Sequence, residues 1–185
     1  MTFNHIDVVP LGGNIGAEIH GVDLSQPLET DVVDEIRQAL LDNLVIFFRD
    51  QDITPDQQKN FGRLFGELHI HPFIPTLDGH PEIIRLRSQA DGPGKMSYQS
   101  NQWHTDLTYT AEPPMGSILW SDQSPEAGGD TMFMNLYAAF DALSKPMQTF
   151  LENLTAVHNI VASMHVCVDN ITFFDIILFA ARQVI

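Results

Sequence analysis

The stretch GSILWSDQSPEAGGDTMFM, residues 116–134, decides between the folds that the rest of the chain allows. It holds two short apolar runs, 116–121 and 131–134, joined by a segment whose Pro125 and paired Gly128 and Gly129 demand a turn. Each run has the length of a strand and neither shows helical spacing. The pair therefore predicts two strands closed by a loop. Together with the long helix-free middle of the chain, this points to an antiparallel β core of sandwich or jelly-roll type with helices outside. A parallel α/β sheet is the alternative, and the helix-free middle counts against it.

Working outward, the opening 15–24 alternates apolar Ile15, Ala17 and Ile19 with other residues and runs into Gly21 and Pro27, which predicts a strand and a turn. From Asp31 the apolar residues Val32, Val33, Ile36, Leu40 and Leu41 recur at helical spacing, with acidic residues in the first turn where the helix dipole favours them. Residues 44–48 read as a buried strand. Thr54, Pro55 and Gln57 combine an N-cap, a proline at the first helical position and a capping-box glutamine, so a helix is predicted through Phe61 and Phe65 to Gly66. Residues 82–87 read as a strand and 88–100 as a loop; 137–143 and 146–151 read as short helices and 154–158 as a further strand.

At 185 residues, with 44% hydrophobic and 18% charged residues, the chain suits one globular domain that buries roughly 70% of its unfolded surface. A formal charge of −15 is the wrong sign for neutralising phosphates, so neither nucleic acid nor an anionic membrane is an expected partner. The one cysteine, Cys167, cannot form an internal disulfide, no basic and then apolar export signal opens the chain, and no apolar run reaches the roughly 18 residues of a membrane span. A cytoplasmic protein is expected.

Chemistry concentrates at Trp103, His104, Thr105 and Asp106. In extended backbone, residues i and i+2 share a face, so the imidazole of His104 and the carboxylate of Asp106 would project together. They are two thirds of the facial triad that holds non-haem Fe(II) and leaves positions open for O2 and an oxidisable co-substrate. Eight histidines and sixteen aspartates give about 0.7 such His-x-Asp matches by chance. The chain indeed carries decoys: His5 with Asp7, and His80 with Glu82.

Several ordered blocks decide the matter. Residues 15–24 (IGAEIHGVDL), 48–55 (FRDQDITP), 65–72 (FGELHIHP), 103–106 (WHTD), 112–116 (EPPMG) and 128–131 (GGDT) resemble the TauD/TfdA family of Fe(II)- and 2-oxoglutarate-dependent dioxygenases. The resemblance implies an α+β fold with a double-stranded β-helix, or jelly-roll, core and flanking helices. It implies that His104 and Asp106 are Fe(II) ligands, that Thr131 helps hold 2-oxoglutarate, and that His71 contacts the substrate. His69 shares the face of His71 if that segment is extended. The implied reaction hydroxylates a small organic acid or sulfonate, taurine-like, consuming O2 and releasing succinate and CO2. Ile74 and Ser100 stand where taurine-oxidising members would have a tyrosine and an asparagine, so taurine itself is not implied.

Beyond residue 160 the pattern that would supply the second histidine ligand and the arginine pairing with 2-oxoglutarate is not recognisable. The expected organisation is a family segment over 1–160, incomplete at its C-terminal side, and a divergent apolar tail over 161–185. His165 and Arg182 in that tail are read as coincidental. Such a chain is expected to turn over little. The other reading is a non-catalytic fragment or interaction module whose apolar tail covers a sheet edge or drives formation of a homo-oligomer. A metal site of His69, His71 and Cys167 has little support beyond residue type.

Overall fold

The computed structural model describes residues 2–72, 74–86, 103–122, 126–127 and 130–158, and the backbone of 177–181. Its core forms around helix α1 (Thr30–Asn43), whose Val33, Ile36, Ala39 and Leu40 lie buried on one stripe. Leu44 ends the helix in the left-handed region at φ 66°, and its N–H donates to the Leu40 carbonyl at 2.7 Å. A leucine there costs about 1–2 kcal/mol. The turn it makes delivers strand β3 (Val45–Phe48) directly beneath the helix. Among the described residues, Ile36, Leu40, Ile46 and Phe48 are the largest fully buried side chains.

Helix α2 (Pro55–Arg63) begins as its sequence dictates. Thr54 accepts the Gln57 N–H at 3.3 Å, and the Gln57 side chain accepts the Thr54 N–H at 2.7 Å. Its Phe61 ring meets Phe48 edge-on at 5.6 Å, and Phe65 meets Phe61 at 5.3 Å. Near the C-terminal side of the described chain, α3 (Leu136–Asp141) is capped by Asn135, whose side chain accepts the Ala138 N–H at 3.0 Å. Helix α4 (Lys145–Glu152) carries a proline in its first turn.

The main sheet runs in the order β1 (Asp7–Pro10), β2 (Ala17–His20), β3, β7 (Ile177–Ala181) and β6 (Ile118–Ser121). A separate hairpin pairs β4 (Thr76–Leu77) with β5 (His80–Ile84). Mixed helix and strand content is thus as expected, but the sheet is not the antiparallel one. Within it β1–β2 pairs antiparallel, like the separate β4–β5 hairpin, whereas β2–β3, β3–β7 and β7–β6 are parallel. For β2–β3 the cause is local: α1 serves as the crossover between them, the connection a parallel pair requires. The helix itself is expected from Asp31; its spacing does not show that the strands on either side of it lie next to each other.

Two predicted strands are irregular. Residues 131–134 and 154–158 form no strand, and Met132 and Val157 are 74% and 85% exposed. An apolar run becomes a strand only beside a partner edge; Phe133, at 6.2 Å from Phe47, is held instead by an edge-on ring contact. The strand expected at 82–87 occupies 80–84 instead and admits Pro81 near its start, where a missing N–H is tolerated. The loop expected at 88–100 lies outside the described residues. Among the described residues no helix is long and apolar enough to cross a membrane.

Candidate metal centre

His104 and Asp106 converge, by a different route from the one expected. Residues 103–105 are irregular and the chain turns sharply at 106–109. Leu107 adopts φ 56°, and its carbonyl accepts from both the N–H and the hydroxyl of Thr110, at 3.0 and 2.8 Å. His158 Nδ1 lies 2.9 Å from the Thr108 hydroxyl and ties the turn to the far end of the described chain. Nε2 of His104 comes within 3.4 Å of Oδ1 of Asp106, with both side chains more than half exposed. Ser117 donates its hydroxyl to Oδ2 of the same carboxylate at 3.4 Å.

This environment keeps Asp106 ionised. The hydrogen bond from His104 holds its carboxyl below the ordinary range against the opposing effect of burial, and the charge of His104, the Ser117 hydroxyl and His71 act in the same direction. A deprotonated carboxylate is the form that binds metal. Burial lowers the pKa of His71, as does the neighbouring His69, while Asp106 pulls the other way. Nδ1 of His71 accepts the Ile74 N–H at 3.1 Å, so the neutral ring carries its proton on Nε2. The His69 and His71 rings stand edge-on at 6.4 Å.

Thr131 is exposed in the irregular segment before α3. Ser100, His165, Cys167 and Arg182 lie outside the described residues. The decoys are accounted for by other partners. His5 Nδ1 pairs with Glu35 at 3.1 Å, His80 faces Asp56 at 3.6 Å, and Glu82 faces Lys59 at 3.9 Å and Arg63 at 3.6 Å. Sequence reasoning missed Ser117 and His158 as neighbours of the site. Ser117 sits in an apparent strand eleven residues from Asp106, and no local pattern links a lone histidine at 158 to a threonine at 108.

The donor pair suits a divalent ion. Two donors at right angles, each roughly 2.1 Å from one ion, stand about 3.0 Å apart, close to the 3.4 Å seen here. An imidazole with a carboxylate is a donor set that non-haem iron accepts. Among the described residues, no group of three histidine, cysteine, aspartate or glutamate side chains could hold a metal ion.

Comparison with known proteins bears on the chain as a whole. The model of the taurine catabolism dioxygenase TauD, TfdA family matches residues 7–173. The alpha-ketoglutarate-dependent sulfate ester dioxygenase of Pseudomonas putida is 41% identical over 155 residues, 83% of this chain and 50% of that protein. An alkylsulfatase of Acinetobacter baylyi is 41% identical over 150 residues, 80% of this chain and 45% of that protein. The crystal structure of a taurine dioxygenase from Burkholderia xenovorans superposes with a TM-score of 0.66 at 38% identity, covering 81% of this chain and 52% of its own. The chain spans about half the length of the curated relatives it matches. The family match runs from the first strand of the main sheet through the His104 turn and past α4, and on that extent the chain belongs to the taurine catabolism dioxygenase TauD, TfdA family.

Proposed function

We propose that this chain supplies the first histidine and the carboxylate of the iron site in a 2-oxoglutarate-dependent dioxygenase that oxidises a small organic acid bearing a sulfonate or sulfate ester. O2 is consumed and succinate and CO2 are released. The observation that carries the reading is the approach of His104 Nε2 to Asp106 Oδ1 at 3.4 Å, within the stretch that the family model matches. The names of the relatives, a sulfate ester dioxygenase, an alkylsulfatase and a taurine dioxygenase, support the substrate class.

Iron and 2-oxoglutarate, when bound, supply the oxidising chemistry, as cofactors do generally. The chain's own residues bind and orient. On metal binding His104 would give up the Nε2 proton it directs at Asp106 and offer that nitrogen, while Asp106 would offer a charged oxygen. His71, with its proton on Nε2, is a neutral donor suited to an oxygen of the sulfo group. The Thr131 hydroxyl can donate to a carboxylate oxygen of 2-oxoglutarate. Residues 1–160 form the N-terminal part of a domain that closes as a double-stranded β-helix, 161–185 form a divergent tail, and the protein acts in the cytoplasm without nucleic acid or membrane partners.

With two donors among the described residues, the 185-residue polypeptide should hold iron loosely and turn over slowly. Oxygen consumption and succinate formation, measured with Fe(II), 2-oxoglutarate and a panel of sulfonates and sulfate esters, test the reading. Slow succinate formation abolished by Asp106→Ala is expected; equal rates in wild type and variant would overturn the proposal. Turnover of about 1 s⁻¹ or more, an ordinary enzymatic rate, would instead call for a third ligand beyond His104 and Asp106. One observation favours a second reading, that of an interaction module forming a homo-oligomer. Met132, Phe150 and Val157 expose apolar side chains along 131–157. An oligomer that takes up no Fe(II) would support it.

A further inference from the structure

We infer that Ser117 is a positioning residue for the proposed iron site: its hydroxyl holds Oδ2 of Asp106 and leaves Oδ1 as the oxygen presented, with Nε2 of His104, to the metal. The inference rests on the reading of His104 and Asp106 as ligands and goes beyond it. A carboxylate turns about its last torsion with a broad, two-fold preference, so an unanchored aspartate can offer a cation either oxygen or both. In this protein the two oxygens have different partners. Oδ1 lies 3.4 Å from His104 Nε2, and Oδ2 accepts the Ser117 hydroxyl at 3.4 Å.

The division matters for coordination. A carboxylate bound through both oxygens occupies one more position on the ion, and a facial site needs its open positions for the co-substrate and O2. A hydroxyl held against Oδ2 favours binding through Oδ1 alone. At 3.4 Å the contact is longer than an ordinary hydroxyl–carboxylate bond, and to hold Oδ2 it must shorten when a ligand arrives.

Ser117 owes its place to packing that involves no metal. It immediately precedes β6, and the Gln58 side chain of α2 donates to the Ile118 carbonyl at 3.3 Å. Helix and strand approach closely because α2 has a glycine there: a Cβ on Gly62 would stand 3.4 Å from Ile118 Cδ1 and 2.9 Å from Leu68 Cδ2. Further along β6, Trp120 donates its indole N–H to the Gln51 carbonyl at 3.0 Å. The serine thus stands directly before a strand that two other segments hold in place, the kind of support that fixes a ligand's orientation.

Mn(II) affinity of the full 185-residue chain, followed by the electron paramagnetic resonance of the free ion, tests the inference without turnover. The decisive pair is Ser117→Thr and Ser117→Val, which have nearly the same shape and differ in the hydroxyl. Loss of an outer partner of this kind typically weakens metal binding by 10–100-fold. Ser117→Val and Ser117→Ala should weaken Mn(II) binding about tenfold or more, Ser117→Thr should stay close to wild type, and circular dichroism should show all three folded. Val equal to wild type, or Thr as weak as Val, would overturn the role of the hydroxyl while loss of binding in Asp106→Ala upheld the site. Equal binding by wild type and Asp106→Ala would overturn the ligand reading and the inference with it.

Discussion

Glu35 shows how much one side chain can organise. Its carboxylate accepts the backbone N–H groups of Asn4 at 2.8 Å, His5 at 2.9 Å and Ile6 at 3.2 Å, and pairs with the His5 ring at 3.1 Å. Burial alone would raise its pKa. The donors from Asn4 and His5 outweigh that and hold it at about 2, against an ordinary 4.5. A depressed acid contributes stability above its unfolded pKa and loses it as the pH falls through its folded one. Glu35→Gln should therefore lower the Tm by a constant amount at neutral and mildly acidic pH. That gap should close as the pH falls from about 4.5 towards 2. Thermal unfolding of both proteins at pH 7, 4 and 2.5 measures it, and a gap unchanged at pH 2.5 would exclude an ionised anchor. The same carboxylate explains why His5 with Asp7 was only a decoy. Its partner lies 30 residues away, out of reach of any local pattern. His104 and Asp106 were legible because both members of the pair sit within three residues. The left-handed Leu107 that brings them together was not, since leucine is not a residue type that announces that conformation.

At the scale of elements, α2 was the most legible part of the chain, because its start is written in four consecutive residues. Thr54→Ala removes the cap and should cost about 1 kcal/mol. In a chain of this size that lowers the Tm by roughly 2–4 °C. Gln57 does more than complete the capping box, since its Nε2 also donates to the Ser25 carbonyl at 2.9 Å. Gln57→Ala should therefore destabilise at least as much as Thr54→Ala, and thermal melts of the two variants side by side decide it. A helix carries its own hydrogen bonds, whereas a strand borrows them from a neighbour. That difference explains the failed strands at 131–134 and 154–158, whose composition was suitable but whose neighbours could not be read. It also explains β6, predicted from the same kind of pattern and realised because β7 lies beside it. Ser117 was overlooked for the same reason: its relation to Asp106 depends on where β6 is placed by α2, not on spacing.

Over the whole molecule, the strand order assigns the chain's last described segment an unexpected place. β7 comes from the tail where no family pattern was recognised, and it begins after the end of the matched region at residue 173. It nevertheless lies in the interior of the main sheet, with Leu178 in register with Ile46 of β3 on one side and with Ile118 of β6 on the other. Because β3 and β6 pair through β7, among the described residues the strand next to Ser117 joins the core sheet by way of this segment. A proline has no N–H to give a ladder and is tolerated only at edges, first positions or bulges. Leu178→Pro should therefore leave a carbonyl on a neighbouring strand without its donor, at a cost of about 1–3 kcal/mol. Each 1.4 kcal/mol is about tenfold in an opening equilibrium, so amide exchange should accelerate up to about a hundredfold in Val45–Phe48 and Ile118–Ser121. The antiparallel pair β1–β2, bonded along its own ladder, should keep its protection. Exchange measured by mass spectrometry on peptides spanning these strands separates the outcomes. Unchanged exchange in both β3 and β6 would mean that β7 does not hold the sheet together. Acceleration confined to those two would make β7 a further support of β6, added to the contacts that α2 and Gln51 already give it.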